Sequence, residues 1–455
     1  MAHYRLDRRQ LMLAGSATLL GAASPGFSFA APRKLAPGGF SAERLARIPP
    51  MLQRYVDDGS SAGFVTLLFR KGEIAQVSAI GWQDTVAKIP MKRDTIFRLA
   101  SMTKPVTCTA ALMLMEQGKI GLFEPIDRYI PELAKPRVLN RPDGPLNETH
   151  PAPRAITLAD LLTHRSGVGG AVGDLQKAMA DLRTDDPTMD VWLKRLGALP
   201  LAYDPGSTFN YGTSHDVLGA LIYRITGMKF GDYLKSALFD LLGMKDTGFW
   251  MPPEKQGRLA ATYRADATGK MVNTQRQIST KPTNFEGGAG GLCSTADDYL
   301  KFARMLLDYG RYGDTRFLTR PTIKMMTTNW LTPEQRAQGF SGSTGFWGSQ
   351  GFGLGVAITD DVSKLGPNPY TSVGSFGWNG ATGVWWKADP AEEMVSIFMV
   401  QNTTSATMGP LPPPAAARAT AVAGLPPTPA AAPAGPRRVP PVVAFLNEAY
   451  AAIEA

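Results

Sequence analysis

A serine and a lysine three residues apart could perform nucleophilic catalysis in this chain of 455 residues. The stretch FRLASMTKPVTCTAALML places Ser101 at the start of an apolar segment and Lys104 one helical turn further along the same face. A serine hydroxyl is a poor nucleophile until a base takes its proton, and a lysine among apolar residues can lose its charge and become that base. Burying an unpaired ammonium is costly, so the pattern favours a functional role for Lys104.

A second serine, Ser61, lies in the stretch GSSAG and matches the G-x-S-x-G pattern of another class of serine hydrolase. That pattern requires a strand before the serine and a helix after it. Here a helical pattern precedes the serine and the strand pattern FVTLLF follows it. We therefore expect Ser61 to be non-catalytic.

The cysteines and histidines do not indicate metal chemistry. Cys108 and Cys293 lie far apart in sequence, and they could form a disulfide in an oxidising compartment or be buried small apolar residues, the alternative we favour. Only four histidines occur, and none forms an HExxH pair. We predict no metal site and no cofactor.

The N-terminal stretch LDRRQLMLAGSATLLGAASPGFSFAAP resembles a twin-arginine export signal. Paired arginines precede an apolar run that is too short to cross a bilayer, and small residues around Ala30 follow it. The alternative is an amphipathic N-terminal helix. We predict that residues 1–30 are removed, that the mature protein is periplasmic or secreted, and that no membrane attachment remains.

Composition and net charge limit the classes of fold and of binding partner that the chain can have. The chain is 44% hydrophobic and 19% charged, which is sufficient for a large globular core. The formal net charge of +9 is dispersed along the chain and does not indicate a nucleic-acid partner. The oligomeric state is left open.

The elements that must position Ser101 and Lys104 come from both ends of the chain. A helix is predicted to start at Ser41, to be interrupted at Pro49-Pro50 and to end near Gly59. Two strand patterns joined by a turn at Lys71-Gly72 follow. Strand patterns return in GFGLGVAITDD, TGVWWKAD and MVSIFMVQ, after a helix that Ser294 or Thr295 would cap.

These patterns predict an α/β fold with two lobes. Residues 31–115 and 287–455 would form a sheet flanked by helices, and residues 116–286 a mostly helical lobe. The segment 408–441 is rich in proline and alanine and would be an extended or disordered surface excursion. A final amphipathic helix, VVAFLNEAYAAIEA, follows it.

Together, several motifs resemble the serine β-lactamase and penicillin-binding superfamily, most closely the class C-like family VIII carboxylesterases. The motifs that carry this resemblance are DTIFRLASMTKPVT, LTHRSGV, YDPGSTFNYGTSHDVLGALI, LGMKDTGF, GGAGGLCSTADDYLKFARMLL and FGWNGATGVWW. They extend over most of the chain that follows the export signal. The resemblance implies a β-lactamase-like antiparallel sheet, with Ser101 as the acylated nucleophile and Lys104 as the motif lysine.

The second family motif is similar to Tyr211-Gly212-Thr213. A phenol beside a lysine can share a proton with it, so the resemblance implies that Tyr211 relays protons to the leaving group and activates the deacylating water. The alternative is an ordinary loop tyrosine with one hydrogen bond. Thr213 would contact the substrate.

The third family motif is similar to Trp378-Asn379-Gly380, which leads into Ala381. The resemblance implies that these three residues line the substrate site and that the backbone N–H groups of Ser101 and Ala381 form an oxyanion hole. The alternative for Trp378 is a core aromatic residue.

The departures from lactamases affect the predicted substrate. Lactamases have a lysine where this chain has Trp378, so a site lined by Trp378 and by Phe376, Trp347 or Trp385 favours neutral, apolar esters. We predict a serine carboxylesterase that cleaves small to medium esters through an acyl-enzyme. The alternatives are a β-lactamase, a D-alanyl peptidase, an amidase or acyltransferase, a non-hydrolysing penicillin-recognition protein and an inactive binding module.

Overall fold

The computed structural model describes residues 35–170, 172–266, 270–274, 279–340, 346–365, 371–403 and 439–454. The predicted export signal and most of the proline- and alanine-rich segment 408–441 lie outside these residues. Leu35–Ala455 form one compact unit, and the lobe boundaries within it stay a prediction. In the part of the chain that is described, no helix has both the length and the apolar character that a membrane crossing needs.

The largest sheet within the described residues has eight antiparallel strands. In chain order the strands are β1 (Gly63–Arg70), β2 (Glu73–Asp84), β3 (Ile89–Pro90), β4 (Gln350–Phe352), β5 (Ala357–Thr359), β6 (Phe376–Asn379), β7 (Trp385–Asp389) and β8 (Met394–Met399). Their order across the sheet is β4-β5-β6-β7-β8-β1-β2-β3. The two chain ends therefore meet where β8 pairs with β1, which confirms the predicted α/β class and a sheet built from both ends of the chain.

The central hairpin follows from local sequence. Lys71 and Gly72 both have positive φ angles, 49° and 86°, which a two-residue turn between twisted strands requires. Alternate residues of β1 face opposite sides of the sheet. Phe64 and Leu68 pack with the helices formed by the two chain ends, whereas Val65 and Leu67 belong to the main core.

Helices cover both faces of the sheet and continue through the middle of the chain. In chain order they are α1 (Ala42–Leu45), α2 (Ile48–Asp57), α3 (Thr103–Glu116), α4 (Leu158–Leu162), α5 (Gly173–Asp181), α6 (Met189–Gly197), α7 (Ser214–Thr226), α8 (Phe230–Leu234), α9 (Asp240–Leu242), α10 (Ala296–Leu307), α11 (Arg320–Met326), α12 (Pro333–Gln338) and α13 (Pro441–Ala451). Helices α2 and α13 lie on one face of the sheet, where Phe398 of β8 contacts Phe445. Helix α10 lies on the other face, where Tyr299 packs edge-on against Trp386.

Short elements complete the described chain. Two-residue or three-residue strands pair as Leu35–Ala36 with Phe40–Ser41, Phe97–Arg98 with Cys293–Ser294, Arg137–Leu139 with Thr149–Pro151, Tyr263–Ala265 with Met271–Asn273, and Arg311–Tyr312 with Thr315–Arg316. The strand Phe97–Arg98, which pairs with Cys293–Ser294, leads into Ser101.

The helix boundaries refine two predictions. Ser41 caps α1 as expected, because its side chain accepts the N–H of Arg44. The break between the first two helices lies at Ala46-Arg47, and Pro49 and Pro50 occupy the first turn of α2. Proline is tolerated there because first-turn N–H groups need no intrahelical acceptor, so these prolines start a helix instead of interrupting one.

Two further sequence alternatives are resolved. Thr295 caps α10 by accepting the N–H of Asp298, whereas Ser294 lies in a short strand. Cys108 and Cys293 are both free and buried, so the favoured alternative of two buried thiols holds in this structure. Burial raises the pKa of the Cys108 thiol well above its usual value and that of Cys293 to about 12, so both thiols are neutral.

Candidate active site

Ser101 lies half-buried in a tight turn, Ala100–Met102, that leads directly into α3. Ala100 has a positive φ of 45°, a conformation that costs a residue with a Cβ atom about 1–3 kcal/mol and persists only when neighbours hold it. The turn is anchored before it begins, because the Leu99 N–H donates to the Leu292 carbonyl at 2.9 Å. The fold therefore presents Ser101 on a constrained turn at a helix start.

Lys104 is 3% exposed, and its Nζ has three defined neighbours. Its Nζ lies 3.0 Å from Ser101 Oγ and 2.6 Å from the Ala289 carbonyl oxygen. It also lies 4.5 Å from the centre of the Tyr211 ring, above the ring face. The buried lysine is thus fully coordinated, and it connects the serine to the tyrosine.

Tyr211 lies half-buried in the loop that precedes α7. Its phenol oxygen accepts a hydrogen bond from Trp378 Nε1 at 2.9 Å. Its ring packs against Phe340 at 5.1 Å and against Trp378 at 5.6 Å between centroids. The structure therefore brings Ser101, Lys104 and Tyr211 of the predicted set together, with Trp378 on the phenol.

The third predicted motif packs directly against the nucleophile turn. A Cβ atom at Gly380 would lie 2.4 Å from the Leu99 carbonyl oxygen, so only glycine allows this approach. The Thr382 hydroxyl donates to the Arg98 carbonyl at 3.1 Å and fastens the turn after β6 to the strand before Ser101. Ala381 is exposed between these two contacts.

The backbone N–H groups of Ser101 and Ala381 lie on two turns that pack against each other. Among the described residues, neither group donates to a carbonyl of a loop or turn. An oxyanion hole requires two backbone donors that a substrate oxygen can reach. The arrangement is compatible with the predicted pair, whose role stays a prediction.

An aromatic cluster borders Tyr211. We define it by its seven members, Phe209, Tyr211, Phe340, Phe346, Trp347, Phe352 and Trp378. Trp378 is 5% exposed, so it is a packed aromatic residue as well as the partner of the phenol. The cluster makes the wall beside the phenol apolar.

Two of the four aromatic residues predicted to line the site do not do so. Phe376 packs edge-on against Trp386 in the main core, and Trp385 faces the layer formed by α2 and α13. These two expectations were wrong for different reasons. Trp385 points to the sheet face opposite to that of Trp378, whereas Phe376 shares the face of Trp378 but packs against the main core one residue pair further along the strand. Trp378 contacts Tyr211, whereas Trp347 is buried elsewhere in the aromatic cluster, so its predicted place at the substrate site stays a prediction.

Thr213 and Asn379 lie close in sequence to Tyr211 and Trp378, and their contact with a substrate stays a prediction. Thr213 immediately precedes α7. Its hydroxyl packs so closely on Gly169 that a Cβ atom added to that glycine would lie 3.0 Å from it. Asn379 ends β6 and is half-buried opposite Trp385.

Ser61, by contrast, is buried between α2 and β1, where its Oγ accepts from Asn402 at 3.2 Å. The helix-then-strand order around Ser61 is confirmed.

Two histidines beside Tyr211 received no role from the sequence. His164 and His215 are fully buried and stack at 4.0 Å, and the His164 ring lies 4.6 Å from that of Tyr211. Burial, with Lys104 nearby, lowers the pKa of His215 to about 3, and burial, His215 and Lys104 lower the pKa of His164 well below 6.5. Both rings are therefore neutral. His164 lies in the family motif LTHRSGV, and this was the feature of the sequence that could have drawn attention to it.

A sheet built from both chain ends and an S-x-x-K pair at the start of a core helix define a β-lactamase-fold hydrolase. The chain belongs to the Beta-lactamase family, whose model matches residues 50–421. The resemblance seen in the sequence is thereby confirmed.

Individual relatives cover most of this chain. An uncharacterized protein of Mycobacterium tuberculosis is 39% identical over 359 residues, which are 77% of this chain and 88% of that protein. Esterase EstB of Burkholderia gladioli is 28% identical over 403 residues, which are 83% of this chain and 96% of EstB. Among solved structures, simvastatin synthase LovD from Aspergillus terreus superimposes with a TM-score of 0.68 at 25% identity, with 79% of this chain and 93% of LovD covered.

Proposed function

We propose that this protein is a serine esterase that cleaves small to medium, neutral carboxylic esters through an acyl-enzyme on Ser101. The observation that carries the proposal is the position of Lys104 Nζ, 3.0 Å from Ser101 Oγ and against the face of Tyr211. A base within hydrogen-bond reach is the first requirement for activating a serine. The 28% identity to an esterase over most of both chains supports ester cleavage.

In acylation, Ser101 Oγ attacks the ester carbonyl carbon and its proton passes to the pair formed by Lys104 and Tyr211. The N–H groups of Ser101 and Ala381 stabilise the negative oxygen of the tetrahedral intermediate. The carbon–oxygen bond of the ester then breaks, and the departing alcohol takes the proton from the same pair.

Deacylation reverses these roles. A water molecule gives a proton to the pair formed by Lys104 and Tyr211 and attacks the acyl carbon. The bond to Ser101 Oγ breaks, the serine regains its proton, and the carboxylic acid leaves. Each proton is returned within one turnover, so the cycle needs no cofactor.

The surroundings of Tyr211 support a neutral substrate. Trp378 places an uncharged N–H on the phenol at 2.9 Å, and the aromatic cluster extends from there. An anionic substrate such as a β-lactam would give up hydration beside this apolar wall without a charged partner from Trp378. The chemistry of the wall thus favours apolar esters over carboxylate-bearing amides.

The test is turnover on a panel of p-nitrophenyl esters of increasing acyl length beside a chromogenic cephalosporin. We expect kcat/KM to be highest for a neutral ester of short or medium length. Faster hydrolysis of the cephalosporin than of p-nitrophenyl butyrate would contradict the esterase assignment and favour the β-lactamase alternative.

We also propose that the protein acts in the periplasm or outside the cell on a small-molecule ester. The support is the paired arginines Arg8 and Arg9 followed by a short apolar run. Replacing both by lysine should retain the full-length chain in the cytoplasm, as measured by fractionation and by the mass of the N-terminus. Unchanged export of the variant would contradict a twin-arginine signal.

A further inference from the structure

The carbonyl that holds Lys104 belongs to a loop, residues 287–291, that lies far from Lys104 in sequence. Ala289 in this loop accepts from Lys104 Nζ at 2.6 Å. The neighbouring Gly288 carbonyl accepts from the Thr107 hydroxyl of α3 at 2.8 Å. The loop therefore supplies one of the two hydrogen-bond partners of Lys104 Nζ within the described residues and is itself bonded to α3.

A buried carboxylate holds the other side of Ala289. Asp216 of α7 is 2% exposed, and its Oδ1 accepts the Ala289 N–H at 2.9 Å. Its Oδ2 forms an ion pair with the guanidinium of Arg183. Both oxygens of this carboxylate are thus used, as a buried charge requires.

Arg183 anchors the carboxylate from the surface. Its side chain is 43% exposed, and its guanidinium packs over the ring of Phe285 at 4.5 Å, immediately before the loop. The sequence of contacts from surface to nucleophile is therefore Arg183, Asp216, Ala289, Lys104 and Ser101.

We propose that Asp216, held by Arg183, is a positioning residue that keeps Lys104 within reach of Ser101 by holding Ala289. This inference rests on the proposed function. Ala289 has one backbone donor and one backbone acceptor facing this site, and Asp216 takes the donor while Lys104 uses the acceptor. Loss of Asp216 frees the loop and displaces the carbonyl, and displacement of a reacting group by about 1 Å can cost on the order of 100-fold in rate.

The experiment compares two buried aspartates that have similar environments. Asp160 is also 2% exposed, and it pairs with Arg154, whose side chain is 44% exposed. It contacts neither Ala289 nor Lys104 among the described residues. The measured quantities are the second-order rate of Ser101 labelling by a fluorophosphonate, kcat and KM for p-nitrophenyl butyrate, and the midpoint of thermal unfolding.

For Asp216→Ala we expect labelling and kcat to fall about 10- to 100-fold with little change in KM. Asp216→Asn should lose less, about 3- to 10-fold, because its amide oxygen still accepts the Ala289 N–H but the ion pair with Arg183 is lost. Asp160→Ala should lose stability and keep the wild-type rates. Equal rates in Asp216→Ala and wild type would overturn the proposal.

If Asp216→Ala does not fold, a second pair of variants with smaller effects on stability provides the test. Arg183→Met should slow labelling about 3- to 10-fold because Asp216 loses its anchor, whereas Arg154→Met should remain within about twofold of wild type. Equal labelling rates for the two arginine variants would overturn the proposal in that case.

Failure of the proposed function has a different signature. Labelling uses a probe and needs no natural ester, so a wild-type protein that is labelled at Ser101 but hydrolyses no ester contradicts the esterase assignment and leaves the positioning test intact. A wild-type protein that is not labelled at Ser101 overturns both.

Discussion

The indole N–H of Trp378 donates a hydrogen bond of 2.9 Å to the phenol oxygen of Tyr211. The phenol therefore has an uncharged donor on its oxygen and Lys104 Nζ against its ring face. Within the described residues, this is the arrangement through which the third motif reaches the reacting groups. Under the proposed function, this one contact should affect both substrate preference and proton transfer.

Removing that donor while keeping an aromatic ring should slow the reaction. We expect Trp378→Phe to lower kcat/KM for p-nitrophenyl butyrate about 3- to 10-fold, since one neutral hydrogen bond contributes about 0.5–1.5 kcal/mol. Trp386→Phe is the matched control, because its fully buried indole N–H has no partner among the described residues. A larger kinetic loss in Trp386→Phe than in Trp378→Phe would refute the role of this contact.

Placing a cation at the same position should change substrate preference. Trp378→Lys should narrow the difference in kcat/KM between neutral esters and a cephalosporin by roughly tenfold, because a charge-assisted contact contributes about 1.5–3 kcal/mol. The measurement is the ratio of the two kcat/KM values in the variant and the wild type. An unchanged ratio would show that this residue does not set the charge preference.

The identity of the nucleophile can be tested with two serines. Ser101→Ala should abolish ester turnover and fluorophosphonate labelling, since loss of an activated nucleophile usually removes orders of magnitude in rate. Ser61→Ala, at the buried serine bonded to Asn402, should leave both nearly intact. Undiminished labelling of the Ser101 variant would exclude the assignment.

Lys104 and Tyr211 should behave as one proton-transfer unit. We expect Lys104→Ala and Tyr211→Phe each to remove most of the rate and the double variant to cost little more, because groups that act together are strongly non-additive. The measurement is a double-mutant cycle on kcat. Additive effects would mean that the two residues act independently.

The buried histidine pair predicts acid sensitivity of the fold. His164 and His215 have pKa values depressed below 6.5 by burial, so the unfolded chain binds protons that the folded chain does not as the pH falls below about 6.5. The free energy of unfolding should therefore decrease from about pH 6.5 downward, by up to about 1.4 kcal/mol per pH unit for each histidine. For His215 this loss continues to about pH 3.

Denaturant unfolding at pH 7, 6 and 5 measures the slope of the free energy of unfolding against pH. His215→Asn should reduce this slope, because asparagine does not titrate, although its shorter side chain loses the contact of His215 Nε2 with the Leu162 carbonyl at 3.3 Å. His150→Asn is the control, since that histidine has a side chain that is 43% exposed. A slope that is unchanged in His215→Asn would contradict the assignment.

The sequence by itself determined the features that depend on neighbours a few residues apart. Ser101 and Lys104 share a face because three residues make about one helical turn, and Lys71-Gly72 turns because glycine accepts a positive φ. The common face of Ser101 and Lys104 and the central hairpin could therefore be predicted from local spacing, and the strand patterns near both chain ends indicated which segments form the sheet.

Only the tertiary structure decided the contacts between distant segments. The carbonyl on Lys104 comes from Ala289, 185 residues away, and the choice of Trp378 over Trp385 depends on which sheet face the helices cover. A strand pattern shows that alternate residues face opposite sides, but it does not show which side meets the site. These contacts depend on long-range packing and strand register, which no local spacing in this sequence encodes.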